Sequence, residues 1–511
     1  MLALLAVLTI VLGACSAGPS RRPPLAIDEG GQTTEPTPSS SAATSLPPLQ
    51  QPNQDSLDWT DCTAATRDKL GNVGAAKNLS FSCAHFITAA DSPDQPDSGA
   101  ARLALLKAGT GSVPLLVLND VNGTPGTEYA ARLAATMPQQ MLKTFAFIGV
   151  DRRGTGSSDG VSCIPQNTRN DLLNYDPMST DLTPLEDTDS SAVQQCALEP
   201  GTNLQTLDTV HTVNDVDSIR KALGVDKLNA IGHGEGSRVL ASYAADFPGH
   251  AGRFVLDGAP DPIADQPTRQ QSKASAAESA FDAFAADCVQ RKCPLGGQPR
   301  QAVTQLLSKL RTTPITQPDG IGIGPGMAMN AIVAELPEPS AWPTLGDALG
   351  KAQRGDGSGI EQLLRPQLTG SIDDASRLDA GLITGCNDDA DRPTSAQVVD
   401  WMKAAHNKAP LFGDYFAQNA LLCSPWPVPT AKPPTTNGAG LPPVLVISTA
   451  NDPVTPRDGT QHFAQTLQSA VLVDWQGTGH GGLPDSACAT TAAQRFLVNS
   501  AVPADGMVCP P

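Results

Sequence analysis

The chain has 511 residues, enough for roughly two to three ordinary domains or one large fold with an insertion. Its formal charge of −18 excludes a partner of the nucleic-acid class, whose phosphates would be repelled. Only 17 % of residues are charged, while 46 are Gly and 45 are Pro, the balance of a compact, loop-rich exported protein.

In chain order, Leu2 to Leu12 is an apolar run of signal-peptide length, too short to span a bilayer as a helix. It leads into Leu12-Gly13-Ala14-Cys15, which matches a lipobox. Residues 1–15 are therefore expected to be a lipoprotein signal peptide, with Cys15 lipidated and the mature chain anchored outside the cytoplasm on the cell membrane. The competing reading of Cys15 is an ordinary half-cystine. Residues 16–57 are rich in Ser, Thr and Pro and poor in large apolar side chains, so they read as a disordered tether. Folded sequence is expected from about Trp59.

Setting Cys15 aside leaves ten of the eleven cysteines, an even number that reads as up to five disulfides in an exported protein. No pair has Cys-x-x-Cys spacing, which argues against zinc-ribbon and thioredoxin chemistry. No metal and no cofactor is expected. Cys288 and Cys293 are close enough to close a small loop; the other connectivities do not follow from spacing.

From Trp59 onward, strands and helices alternate as in an α/β protein. Leu103–Lys107, Leu115–Asn119, Phe145–Val150, Leu228–Gly232, Phe254–Asp257, Val444–Ser448 and Ala470–Asp474 read as strands. Their near-continuous Val/Leu/Ile composition suits strands buried on both faces. Thr212–Leu223 reads as a helix with Val213, Val216, Ile219 and Leu223 on one side. The alternation breaks over residues 263–434, where helix-prone stretches such as Ala276–Gln290 and Pro299–Arg311 are joined by Gly/Pro loops. This block reads as a helical lid inserted between core segments 58–262 and 435–511. Gly320 to Gly326 follows no clear strand, which argues against a phosphate loop.

The chemistry centres on Leu228 to Leu240. There a buried strand meets a helix read from Ser237 to Asp246, through Gly232-His233-Gly234-Glu235-Gly236. Small residues at alternate positions are the layout of a nucleophile elbow, Gly-x-Ser-x-Gly, yet the central residue is Gly234, which has no side chain to attack with. A dinucleotide loop would need Gly-x-Gly-x-x-Gly, and that spacing fails. Downstream, Asp452 follows one strand and His480 follows the next, within Gly477-Thr478-Gly479-His480-Gly481. Elbow, acid, histidine is the chain order of α/β-hydrolases, in which the acid orients the imidazole. Taken singly, Asp452 could be a turn residue and His480 an ordinary loop histidine; their joint placement gives them catalytic-type roles.

The chain resembles the bacterial secreted tripeptidyl aminopeptidase-like α/β-hydrolases, related to proline iminopeptidases, from about Trp59 to Cys509. The motifs that carry the resemblance are Asp151-Arg152-Arg153-Gly154-Thr155-Gly156-Ser157-Ser158, Asp215 to Gly224, and Tyr243 to Pro248 running into Arg253 to Gly258. Cys386-Asn387-Asp388, Cys423 to Pro427, Asp452 to Pro456 and Gly479-His480-Gly481 complete them. The resemblance implies an α/β-hydrolase fold with a mostly parallel central sheet and a helical cap, which the break in alternation places between strands 6 and 7. It also implies export, cleavage near peptide N-termini, and disulfides Cys62–Cys83, Cys163–Cys196, Cys288–Cys293, Cys386–Cys423 and Cys488–Cys509. The loop from Asp151 to Ser158 is expected to shape the sheet edge without chemistry.

The sequence departs from the family pattern at two places. Gly234 stands where the serine should, with Glu235 in place of a bulky neighbour. The oxyanion loop reads Gly123-Thr124-Pro125-Gly126-Thr127-Glu128-Tyr129, with Thr124 at a glycine position and Glu128 bringing negative charge. Losing one oxyanion donor typically costs about 100- to 1,000-fold in rate. Together these changes point to an exported lipoprotein of the serine-hydrolase fold with lost or strongly impaired catalysis. It would bind a peptide, a small acyl ligand or a protein partner under the lid. The alternative is an active peptidase- or esterase-type hydrolase in which His480 and Asp452 activate water. Ser237, three residues past the elbow and inside the helix, is poorly placed to substitute.

Overall fold

The computed structural model describes residues 45–71, 78–90, 99–198, 204–318, 320–370, 375–429 and 438–511. Cys15 and most of the expected tether lie outside the described residues. Strands β1 (Thr60–Asp61), β2 (Phe81–Ala89), β3 (Ala100–Ala108), β4 (Val113–Leu118), β5 (Phe145–Val150), β6 (Leu228–His233) and β7 (Ala251–Asp257) come first along the chain. A two-stranded hairpin follows, of β8 (Ile315–Thr316) and β9 (Gly322–Ile323). Then come β10 (Val444–Asn451), β11 (Ala470–Thr478) and β12 (Met507–Cys509).

Ten of these strands form one sheet in the order β1-β2-β3-β5-β4-β6-β7-β10-β11-β12. The β1–β2, β2–β3 and β3–β5 pairings are antiparallel, and every other pairing in the sheet is parallel. With β1, β12 and the hairpin set aside, this is the eight-stranded α/β-hydrolase order. Strands β4 to β7 are buried at every position, as their unbroken apolar composition requires under helices on both faces. Helices Thr209–Ala222 and Glu235–Asp246 cover one face through Val213, Val216, Ile219, Leu240 and Tyr243. Gly126–Thr136 and Ala487–Asn499 cover the other through Ala130, Leu133, Phe496 and Leu497.

The chain leaves β4 to one side, toward β5, and returns on the other as β6. That reversal opens a crevice at the carboxyl ends of β4 and β6, the place where open α/β sheets bind ligands.

The lid enters between β7 and β10, the sixth and seventh strands of the hydrolase sheet. Its helices include Gln266–Arg291, Pro299–Thr312, Ser358–Leu368 and Arg377–Asp388. It has a core of its own, with Phe281, Phe284, Met327, Ile332, Leu345 and Leu349 buried together. The expected boundary at residue 263 misses a second piece. Helices Gln166–Asn174 and Thr183–Leu198, between β5 and β6, pack with the lid. Buried Arg169 grips buried Asp379 with Nε 2.7 Å from Oδ1 and Nη2 2.8 Å from Oδ2. Their polar composition hid these two helices among loops.

The tether also ends earlier than expected. Residues 45–57 run along the core, where Asn53 N–H donates to Gly224 O at 2.9 Å and Ser56 N–H to Ala222 O at 2.9 Å. Arg253 Nε donates to Pro47 O at 2.9 Å. Leu46, Leu49 and Leu57 supply the apolar contacts that fix this stretch. All five implied disulfides are present: Cys62–Cys83, Cys163–Cys196, Cys288–Cys293, Cys386–Cys423 and Cys488–Cys509. No helix among the described residues is long and apolar enough to cross a membrane.

Candidate active site

Three strand ends converge at the crevice. After β6 the chain turns at Gly234, with φ 55° and ψ −122°, and enters the helix Glu235–Asp246. A residue with a side chain is strained there, whereas Gly is not. Gly236 is required by contact, because a Cβ on it would stand 2.3 Å from Leu118 O of β4. Ser237 is buried, and its Oγ donates to Gly232 O at 2.9 Å, so it is turned away from the crevice.

Asp452 directly follows β10 and is fully buried. Its carboxylate accepts from the backbone N–H groups of Val454, Thr455 and Gly481 and from Thr455 Oγ1, at 2.8–2.9 Å. His480 Nδ1 lies 3.1 Å and 3.0 Å from its two oxygens. Burial opposes ionisation of Asp452, but the His480 ring and these donors outweigh it, and the carboxyl titrates below its ordinary value. The expected acid–histidine pair is thus assembled and aimed at the elbow.

The other ring nitrogen is engaged by a residue that sequence reasoning missed. Asp120, just past β4, places Oδ2 2.8 Å from His480 Nε2. Its Oδ1 accepts the Glu235 N–H at 2.8 Å. That amide, one residue past the elbow, is a donor that this fold aims at an oxyanion. A Cβ built on Gly234 would stand 2.2 Å from Asp120 Oδ1 and 2.3 Å from Oδ2. The carboxylate therefore fills the space that a side chain at position 234 would take, and it occupies the Glu235 N–H as well. Burial opposes ionisation of both groups. For Asp120 the positive His480 ring, with His233 and the Glu235 amide, prevails and holds its carboxyl far below the usual range. For His480 the two carboxylates prevail and raise its pKa well above the ordinary imidazole value.

The expectation for Glu128 is corrected. Its Oε1 accepts from Arg132 Nε at 2.9 Å and Nη2 at 2.7 Å, one turn along the same helix, so it is neutralised locally. The negative charge at the oxyanion position comes from Asp120. Thr124 contributes its carbonyl, which accepts from Asn119 Nδ2 at 2.7 Å, and Gly123 N–H donates to Asp120 O at 3.2 Å. These bonds fold the loop back on itself just past β4.

A cavity of about 390 Å³ opens between this loop and the lid, lined by Asp120, Thr124, Glu128, Arg152, Arg365 and Arg377 among others. Arg152, in the loop from Asp151 to Ser158, reaches this cavity. It is only 5 % exposed, and none of its three guanidinium nitrogens has a hydrogen-bond partner. Its Nη1 lies 3.8 Å from Glu235 Oε2, itself without a hydrogen bond.

His233, the residue before the elbow, faces His480 with ring centroids 4.2 Å apart, and Tyr129 stacks on its other side at 5.1 Å. His233 Nδ1 lies 3.4 Å from Asp257 Oδ2. Asp120, His233 and His480 are the residues here whose side chains could jointly hold a metal ion.

Residues 409–509 match the family model described as TAP-like protein. The chain is 29 % identical to "Serine protease Hip1" of Mycobacterium tuberculosis over 493 residues, covering 91 % of this chain and 92 % of that one. It is 29 % identical to "Carboxylesterase B" of the same organism over 519 residues, covering 96 % and 95 %. It is 25 % identical to "Tripeptidyl aminopeptidase" of Streptomyces lividans over 410 residues, covering 76 % and 75 %. With its sheet order and its elbow, the chain has the α/β-hydrolase fold, and its C-terminal region is similar to the TAP-like proteins.

Proposed function

We propose that this chain is an exported, lipid-anchored hydrolase-fold protein that no longer performs serine-type hydrolysis and instead binds a ligand in its lidded cavity. The observation that carries the reading is the Asp120 carboxylate in the place of the nucleophile, paired with His480 Nε2 at 2.8 Å. A triad histidine must accept a proton at that nitrogen. Here that nitrogen faces the Asp120 carboxylate, the ring lies between two acids that favour its protonated form, and the oxyanion donor is taken by Asp120 Oδ1. The lipid anchor rests on the lipobox at Cys15.

The cavity, into which Arg152, Arg365 and Arg377 face, suits a ligand that carries a carboxylate, such as a peptide with a free C-terminus. Arg152 lines the cavity and offers buried donors for a carboxylate. Isothermal titration of peptides with free and with amidated C-termini tests this. Arg152→Met should weaken binding of the free acid about 10- to 100-fold, since hydrogen bonds to charged groups contribute about 1.5–3 kcal/mol. Equal affinity for acid and amide, unchanged in the variant, would count against the assignment.

A second reading keeps hydrolysis, because His480 remains oriented by Asp452 and relatives matching across most of the chain are named for hydrolases. It requires Asp120 to swing away so that His480 can activate water. Robust peptidase or esterase turnover by the unmodified chain, abolished in His480→Ala, would establish this reading and overturn the first.

A further inference from the structure

We propose that Asp120, His233 and His480 form a binding site for one divalent transition-metal ion of the zinc class, directly over the elbow. This goes beyond the ligand-binding reading and does not depend on it. Each residue presents one donor atom, and the three atoms lie within 4.8 Å of one another. Two imidazoles and a carboxylate are a donor set that binds zinc with a position left open, at about 2.0–2.2 Å per bond. Donor atoms around such an ion stand about 3.3 Å apart in tetrahedral geometry. Asp120 and His480 already stand 2.8 Å apart, so the site needs adjustments of well under the length of a side chain.

What separates this cluster from a chance meeting of polar groups is its outer layer. Metal-ligating histidines almost always turn their second nitrogen to a carboxylate or carbonyl, which fixes the ring and raises its basicity. Both histidines do so here. His480 Nδ1 faces Asp452 at 3.0 Å, and His233 Nδ1 faces Asp257 at 3.4 Å, leaving each Nε2 for the ion. The two outer acids are held in turn by backbone donors: Gly481 and Thr455 on Asp452, Gly482 and Leu483 on Asp257. Three carboxyl groups thus meet two histidines in a nearly solvent-free volume, and no Arg or Lys among the described residues forms an ion pair with any of them.

Gly234 is part of the site. Any side chain at the elbow would displace the Asp120 carboxylate, because a Cβ there would overlap both of its oxygens. The glycine that removes the serine is therefore the change that admits the acidic ligand. On binding, the ion takes the place of the proton between Asp120 and His480 Nε2, and that proton leaves to solvent.

The test is equilibrium dialysis of the purified full-length protein against zinc, with metal counted by mass spectrometry after gel filtration, and against cobalt with visible absorption. The expected result is one zinc per chain, and cobalt bands of a four- or five-coordinate ion. Asp120→Ala and His480→Gln should weaken binding about 100-fold or more, and Asp257→Asn about 10- to 100-fold, the usual effect of an outer carboxylate. His462→Gln, at a half-exposed His–Asp pair on the surface, should leave affinity unchanged. Failure of the wild-type protein to retain stoichiometric metal would overturn the proposal, as would equal affinity in wild type and Asp120→Ala. If a variant does not fold, the wild-type cobalt spectrum decides, since a weak six-coordinate spectrum excludes this site. Loss of the metal claim would leave the peptide titrations of Arg152→Met standing.

Discussion

Asp120 and Gly234 occupy complementary halves of one space: the acid stands where a side chain at 234 would begin, with its Oδ1 2.2 Å from that Cβ position. The two residues come from the ends of adjacent strands β4 and β6, so neither can change without consequence for the other.

The first expected outcome follows from that overlap. From the sequence, Gly234→Ser alone places a serine at the elbow and leaves Thr124 and Glu128 in the oxyanion loop, so weak activity is expected. In the structure the new Cβ collides with Asp120, and overpacking of this kind costs about 1–3 kcal/mol. The single variant should be less stable and should not react with a fluorophosphonate probe. Gly234→Ser combined with Asp120→Gly removes the collision, frees His480 Nε2 and releases the Glu235 amide. Labelling should appear in the double variant and vanish when His480→Ala is added. Labelling of Gly234→Ser alone at the level of the double variant would show that Asp120 does not hold the site.

That correction marks where the sequence stopped being legible. The elbow, Asp452 and His480 could be placed because each lies at a strand end with a fixed position in the fold. The strands around them are apolar runs with one burial solution. Asp120 carries no such signal: it is one acid in a loop, and nothing local says that its carboxylate reaches across to β6. The clue was indirect, an acid close to the expected oxyanion glycines in a chain whose elbow lacks a side chain. Arg152 was set aside because glycines around it explained the loop. Helices Gln166–Asn174 and Thr183–Leu198 were missed because their burial is against the lid, a surface the sequence does not announce.

The second expectation concerns pH. His480 has a folded pKa raised above its unfolded value, so its stabilising share is complete below about pH 6.5 and is lost as pH rises through the folded value. Asp120 and Asp452 have lowered values, so their share is present above about pH 4 and is lost on acidification through the folded values. Metal-free protein should therefore be most stable in the window between these limbs. Replacing Asp120 with Asn should bring the His480 titration down toward neutrality, which nitrogen-detected NMR of the imidazole can follow. A His480 titration that does not move in Asp120→Asn would contradict the pairing.

A third expectation addresses the two-part lid. Arg169 and Asp379 join the β5–β6 insertion to the β7–β10 insertion by a two-pronged pair in which both side chains are buried. Removing one partner strands the other charge, and breaking a buried pair in this way costs about 3–5 kcal/mol. Arg169→Met should lower the urea midpoint and expose the lid to protease before the sheet. Asp379→Asn in the same chain should recover part of the loss, since no unpaired charge remains. An unchanged midpoint in Arg169→Met would mean that the two insertions are joined by their apolar cores alone.

The last expectation concerns the disulfides, which tie segments on both sides of the lid boundary. Cys163–Cys196 staples the β5–β6 insertion, Cys386–Cys423 staples the lid beside it, and both lie in one small core with Ile383 and Trp426. Cys62–Cys83 and Cys488–Cys509 instead fix edge strands of the sheet, with sequence separations of 21 each. Loss of any one should cost about 2–5 kcal/mol. The consequences should differ by location. Cys386→Ser with Cys423→Ser should loosen the lid and weaken ligand binding through Arg152, because the helix Arg377–Asp388 carries both Cys386 and the Arg377 side of the cavity. Cys488→Ser with Cys509→Ser should lower stability and leave peptide affinity as it was. Unreduced mass spectrometry of the purified protein should find no free thiol among these ten cysteines. Equal loss of affinity in the two double variants would show that the bridges act through overall stability and not through the shape of the cavity.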